Sequence, residues 1–179
     1  MFKKIIVLLA ILASAPAFAS IIQTDSFLTA SVDAGGGRLS DESAIPYGLG
    51  LGYQWNMGYN LTAGFEGAYF NNGHVSSNGG TIDSYELAPM ASIYYYPGLQ
   101  FNFFGKLGYA WQVNTVNAVK TKAWEPVAVG GIGYVIPFSQ SVYANVYNDL
   151  TWSGNGSGAL AGNELTQNTQ IKVGIQFMF

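Results

Sequence analysis

His74-Val75-Ser76, with Glu86 further along, is the stretch whose residue types and spacing best suit nucleophilic chemistry. An imidazole takes the proton from a serine hydroxyl when a carboxylate holds its tautomer, so His74, Ser76 and Glu86 contain the parts of an acyl-transfer site. Two features favour the plainer reading of a lone loop histidine: His74 lies in a run of Asn and Gly, and strand parity points Glu86 inward. The chain has no Cys, which removes thiol nucleophiles, thiolate metal ligands and disulfides. Gly48-x-Gly50-x-Gly52 sits inside an alternating segment with no helix to follow, so it is no phosphate loop. Neither a cofactor nor a metal centre is expected.

The elements that must position such residues are read from a period of two. At the C-terminus Ile171, Val173, Ile175, Phe177 and Phe179 alternate with Lys172, Gly174, Gln176 and Met178, a strand with one oily face. The same period recurs in Phe27 to Ala34, Ile45 to Trp55, Tyr59 to Tyr69, Tyr85 to Tyr95, Phe101 to Trp111, Glu125 to Val135 and Val142 to Trp152. In the sixth of these Ala128, Ile132 and Tyr134 are assigned outward. Pro89 removes one ladder donor, so a bulge or kink is expected there.

Short turns at Asn56-Met57-Gly58, Pro97-Gly98 and Pro137 to Gln140 alternate with longer polar links, Gly35 to Ala44, Asn71 to Ile82, Asn114 to Ala123 and Ser153 to Leu165. Eight strands joined in this way, with both termini on the short-turn side, predict an all-β fold: an antiparallel up-and-down transmembrane barrel. The competing fold is an extracellular sandwich. It fits less well, because the oily faces carry almost no charge and have aromatics at both ends. Tyr47, Tyr69, Tyr85, Tyr109 and Trp152 lie near the long links, and Trp55, Tyr59, Tyr95, Phe101, Tyr134 and Phe179 near the turns, as two membrane interfaces require.

Ionisable residues fall on the opposite face. Asp33, Glu66, Glu86, Lys106, Glu125, Asp149 and Lys172 are expected inside a lumen only wide enough for side chains. Enclosed charge is costly unless paired, so Lys106 should meet Glu66 or Glu86, and Lys172 should meet Asp33 or Asp149. Gly48, Gly50 and Gly52 suit the crowded inside of a strongly curved wall.

Lys3 and Lys4, the apolar run Ile5 to Leu12 and Ala17-Phe18-Ala19 supply the parts of a secretory signal peptide in order. Residues 1–19 are therefore expected to be removed, leaving 20–179 as one barrel domain. No later segment is apolar for long enough to span a bilayer as a helix. Only 9% of residues are charged, against roughly 25% in soluble domains. The net charge of −3 becomes two units more negative without Lys3 and Lys4, which argues against nucleic acid as a partner.

The terminal strand closing on Phe179 resembles the C-terminal signature of bacterial outer-membrane barrels, which the barrel-assembly machinery reads. Pro126 to Pro137, Leu150-Thr151-Trp152 and the terminal Phe make the chain similar to the transmembrane domain of outer membrane protein A and its eight-stranded relatives, including the opacity and Ail-type surface proteins. That resemblance implies a Gram-negative outer-membrane location, periplasmic termini, periplasmic chaperones, and contact with outer-membrane lipid and lipopolysaccharide. The family's interior Glu and Arg fall at Gly133 and Tyr147 here, so its salt-bridge gate does not carry over. A cell-wall anchor is not expected of this chain.

His74-Val75-Ser76 with Glu86 also superficially resembles the His-x-Ser of barrel lipid A deacylases, although that family's segment belongs nearer the C-terminus. Three functions follow, the first leading: a structural scaffold that displays loops for adhesion or surface interaction, with a polar plug inside; a deacylase-like enzyme; and a narrow porin. A host or cell-surface ligand would bind at the loops. Lys120 and Lys122 could touch lipopolysaccharide phosphates, although solvated loop lysines are the blander reading.

Overall fold

The computed structural model describes residues 26–39, 42–77, 80–97, 100–139, 142–153 and 168–179. Its strands are β1 (Ser26–Leu39), β2 (Glu42–Ala44), β3 (Tyr47–Gly58), β4 (Leu61–Ser77), β5 (Gly80–Tyr95), β6 (Phe101–Val116), β7 (Val119–Pro137), β8 (Tyr143–Ser153) and β9 (Asn168–Met178). The expected signal peptide, and the fourth long link beyond Ser153, lie outside the described residues.

β1 pairs antiparallel with both β2 and β3, each strand from β3 onward pairs antiparallel with the next, and β1 also pairs with β9 from Thr29↔Met178 to Arg38↔Thr169. The sheet therefore closes on itself and leaves no edge. β2 and β3 continue one register against β1, since Gly37 faces Ala44 and Ala34 faces Tyr47. The interruption between them falls at Pro46, which has no N–H to give. The cylinder thus has eight staves, one of them made of β2 and β3.

Alternation predicts the two faces. On β5 every second residue is buried, Ile82 to Tyr96, while Thr81, Asp83, Tyr85 and their successors are exposed. Outward residues such as Leu51, Phe65 and Leu107 are 71%, 65% and 67% exposed, which water would punish and lipid solvates. The aromatics cluster at both ends of this band, Tyr69 with Tyr85 and Trp111 with Trp124 at the outer end, Tyr53 with Trp55 and Phe101 with Tyr134 at the other.

Five sequence expectations are corrected. Asn71 to Ile82 and Asn114 to Ala123 are not loops: β4 and β5 run on to Ser77 and Gly80, and β6 and β7 meet at Asn117-Ala118. Most of Gly35 to Ala44 is likewise strand, since β1 reaches Leu39 and β2 spans Glu42–Ala44. These polar segments extend the wall beyond the aromatic belt. Leu39, Ala44, Val75 and Ile82, with Val116 against them, form an apolar cluster inside the extension.

The first tight turn lies at Tyr59-Asn60, with φ of 53° and 62°, rather than at Asn56-Met57-Gly58. Both residues adopt the left-handed conformation that a two-residue hairpin with right-handed strand twist demands. Asn117 and Ala118 do the same at the outer tip, with φ of 49° and 67°. Pro89 makes no bulge: Leu87↔Trp111 and Met90↔Gly108 share one register, and the ladder is merely open between them. Gly108 has no side chain, which lets β6 close against the Pro89 carbonyl.

Candidate functional site

A bulge decides the fate of the His-x-Ser motif. Asn71 faces Tyr85, and the next pair joins Gly73 to Ser84, so β4 carries one extra residue there. Gly73 takes φ of +100°, a conformation glycine adopts freely, and its N–H donates to Asn71 Oδ1 at 2.9 Å. Beyond the bulge parity is reversed. Val75 turns inward and is buried, while His74 and Ser76 are exposed on the outer surface.

His74 Nδ1 lies 2.6 Å from Asp83 Oδ1, directly across the β4–β5 pair. Glu86 is 1% exposed and faces the lumen. The wall therefore separates Glu86 from His74 and Ser76, and the trio read from the sequence is not brought together. Asp83 is the partner that sequence reasoning missed; the signal was Asn71-Asn72-Gly73, a glycine placed where a bulge needs one.

All seven ionisable residues assigned to the lumen are there, each at most 7% exposed. Lys106 Nζ donates to Glu66 Oε1 at 2.7 Å and Oε2 at 2.9 Å, and stands 5.4 Å from the Phe104 ring centre. Lys172 Nζ is 3.2 Å from Asp33 Oδ1 and 3.9 Å from Asp149 Oδ1, with the Phe70 ring 4.2 Å away. The Tyr147 hydroxyl donates to Asp33 Oδ2 at 3.1 Å, and Thr151 Oγ1 to Asp149 Oδ1 at 3.1 Å. Lys106 and Glu66 balance one another, whereas Lys172 stands between two carboxylates, and in both clusters a ring beside the ammonium sheds water.

Glu86 is held differently. Its Oε1 accepts from Asn72 Nδ2 at 2.6 Å, Gln112 Nε2 at 3.1 Å and Ser153 Oγ at 3.0 Å, so three strands converge on one oxygen. Gln170 Nε2 extends the network through Asn72 Oδ1 at 2.6 Å. Below the ion pairs, Gln54 donates to Ser92, Gln176 to Tyr94 and Asn102 to Asn145. Asn72 and Ser153 have the look of loop residues in the sequence, because the strands outrun their oily faces.

Glycines make the room. Gly48, Gly50 and Gly52 stand opposite Asp33, Ser31 and Thr29, and a Cβ on any of them would meet the facing side chain within 2.7 Å. Gly174 faces both Asp33 and Tyr147, and Gly133 lies against the Asn102–Asn145 pair. Polar groups fill what these residues leave open.

Outward, Ile171, Val173, Ile175, Phe177 and Phe179 lie on the lipid side, and Phe179 exchanges both backbone bonds with Leu28, at 3.0 and 3.2 Å. Among the described residues, the exposed charged groups are Arg38, Glu42, Asp83, Lys120 and Lys122, with His74 beside them, all on the outer extension. Lys122 Nζ sits 5.5 Å from the Trp111 ring centre, at the upper aromatic belt.

A closed eight-stave cylinder with oily outside, belted ends and filled polar lumen has the fold of the small outer-membrane β-barrels. Solved structures agree. The chain is similar to Neisserial surface protein A, with a TM-score of 0.57 and 9% identity over 87% of this chain and 98% of that one. It is also similar to Ail, the attachment invasion locus protein of Yersinia pestis, solved in complex with the heparin analogue sucrose octasulfate, with a TM-score of 0.56 and 8% identity over 86% of this chain and 97% of that one. No family model and no curated protein matches the sequence.

Proposed function

We propose that this protein is a structural barrel of a Gram-negative outer membrane that presents its outer rim to the cell's surroundings. The observation that carries the reading is the division made by the wall: an oily outward band between two aromatic belts, and a lumen filled by ion-paired and hydrogen-bonded side chains. Such a cylinder supplies a rigid frame, and frames of this kind work through what they display.

On this reading residues 1–19 are a cleaved signal peptide and 20–179 the barrel, with both termini in the periplasm. Periplasmic chaperones hold the exported chain, and the assembly machinery reads Ile171, Val173, Ile175, Phe177 and Phe179 as its signal. Lys120 and Lys122, exposed near Trp111 and Trp124, would meet lipopolysaccharide phosphates, and the rim a host or cell-surface ligand.

Planar-bilayer recording of the refolded barrel tests the plug. No open level above lipid background is expected; a stable conducting level would overturn the filled lumen and favour a narrow porin. Lipid A from cells making the protein is expected to keep all its acyl chains. Loss of one, abolished by His74→Ala, would replace the structural reading with an enzymatic one.

A further inference from the structure

The outer half of the lumen holds two further carboxylates, Glu86 and Glu125, both buried. Glu86 is hydrogen-bonded from Gln112 on β6 and from Ser153 on β8, and β7 runs between those two strands. Ser153 is paired with Val127, and Glu125 lies two residues along β7 on the same inner face. The Glu86 carboxylate is thereby drawn in front of β7 toward Glu125. Glu125 is 1% exposed, and neither of its oxygens has a hydrogen-bond donor.

A second acceptor points to the same need. Asn114, two residues past Gln112 on β6 and 4% exposed, has an Oδ1 without a donor, and it faces Ser84, whose hydroxyl joins the Glu86 network. Two carboxylates thus lie on this stretch of the inner face, Glu86 with amide and hydroxyl donors on one oxygen and Glu125 with a donor on neither. Like charges sharing a dry site repel, and unmatched acceptors there are costly. Among the described residues no group of three or more carboxylate, imidazole or thiol ligands forms, so amide, hydroxyl and water oxygens would complete the shell.

We propose that this outer chamber is a divalent-cation site, with Glu125 and Glu86 as its charged ligands and Ca²⁺ as the ion it suits. Ca²⁺ takes about six to eight oxygens in flexible geometry, whereas Mg²⁺ demands a near-ideal octahedron and gives up water reluctantly. Side chains from four strands, β5 to β8, offer ligands of the first kind. The bound ion ties β5 to β7 across the lumen and raises the barrel's resistance to unfolding, since a ligand that binds only the folded form stabilises it.

Calorimetric titration of the EDTA-stripped, refolded full barrel in detergent with CaCl₂ tests this, together with its unfolding temperature. One Ca²⁺ per barrel and an upward shift of the unfolding midpoint are expected. Both should be lost in Glu125→Gln and kept in Asp83→Asn, which removes an exposed carboxylate instead. Glu125→Gln deletes a charge at constant shape and should refold; if it does not, Glu125→Asp, which retracts the carboxylate by one methylene, must lower Ca²⁺ affinity at least tenfold. Absence of saturable Ca²⁺ binding would overturn the site, as would binding that survives both substitutions.

Discussion

Lys106 and Glu66 meet across an intervening strand: Lys106 Nζ reaches both Glu66 oxygens, at 2.7 and 2.9 Å, from β6 over β5 to β4. Both side chains are enclosed, 6% and 3% exposed, and rings flank the ammonium. Lys106→Met leaves the carboxylate buried without its partner, a loss of about 3–5 kcal/mol. The expected outcome is a lower temperature for the folded-to-unfolded band shift on an unboiled gel. Adding Glu66→Gln should recover a large part of it; an unchanged midpoint for Lys106→Met would remove the pair as a source of stability.

Gly174 is the second place where a small change should be felt. A Cβ there would run into the Tyr147 ring and the Asp33 Cβ. Gly174→Val must push Tyr147 off Asp33 or bow β9 outward, an overpacking cost of about 1–3 kcal/mol. Gly67, which has open space around it, is the control. Chemical unfolding in detergent should show a clearly larger loss for Gly174→Val than for Gly67→Val.

The bulge at Asn72 and Gly73 makes a prediction about faces. Because the chain has no Cys, single cysteines report cleanly. In the folded barrel, His74→Cys and Ser76→Cys should react quickly with a water-soluble maleimide, and Val75→Cys slowly. Equal reactivity at all three positions would mean that parity does not reverse there.

At the outer tip, Ala118 holds φ of 67°. A left-handed backbone costs a residue with a Cβ about 1–2 kcal/mol, and Asn-Gly is the favoured pair for this turn. Ala118→Gly should therefore stabilise the barrel, read as a higher unfolding midpoint in detergent. A decrease would indicate that the turn relaxes to another conformation.

Phe179 should matter more to delivery than to stability. Its ring is 57% exposed on the lipid side, stacked on Phe177, while its backbone carries the bonds to Leu28. Phe179→Ala is expected to reduce the amount of assembled barrel in cells and to leave the midpoint of refolded protein nearly unchanged. A large drop in that midpoint would assign the residue to the fold instead.

Much of this was legible in residue order. The strict alternation of β5 and β9 gives their faces outright, and the sides of Asp33, Lys106 and Asp149 follow from counting by twos. What escaped is of two kinds. The strand extensions past Asn71 and Asn114 are polar on their outer face because they stand in water, so composition made them look like loops. Tertiary choices such as Glu66 over Glu86 for Lys106 depend on which side chains share a level in a tilted lumen. The position of Asp83 opposite His74 turned on one extra residue, which a period of two cannot register.

The pairing of β1 with β9 sets a condition on birth. Strand β1 finds one of its two neighbours only in β9, Thr29 beside Met178, so a growing polypeptide has no way to seal before β9 is made. Until its final side chains arrive it carries two raw borders and a mass of grease, and joining points so distant in sequence is slow. A cylinder wired in this manner shuts only after β9 has been made.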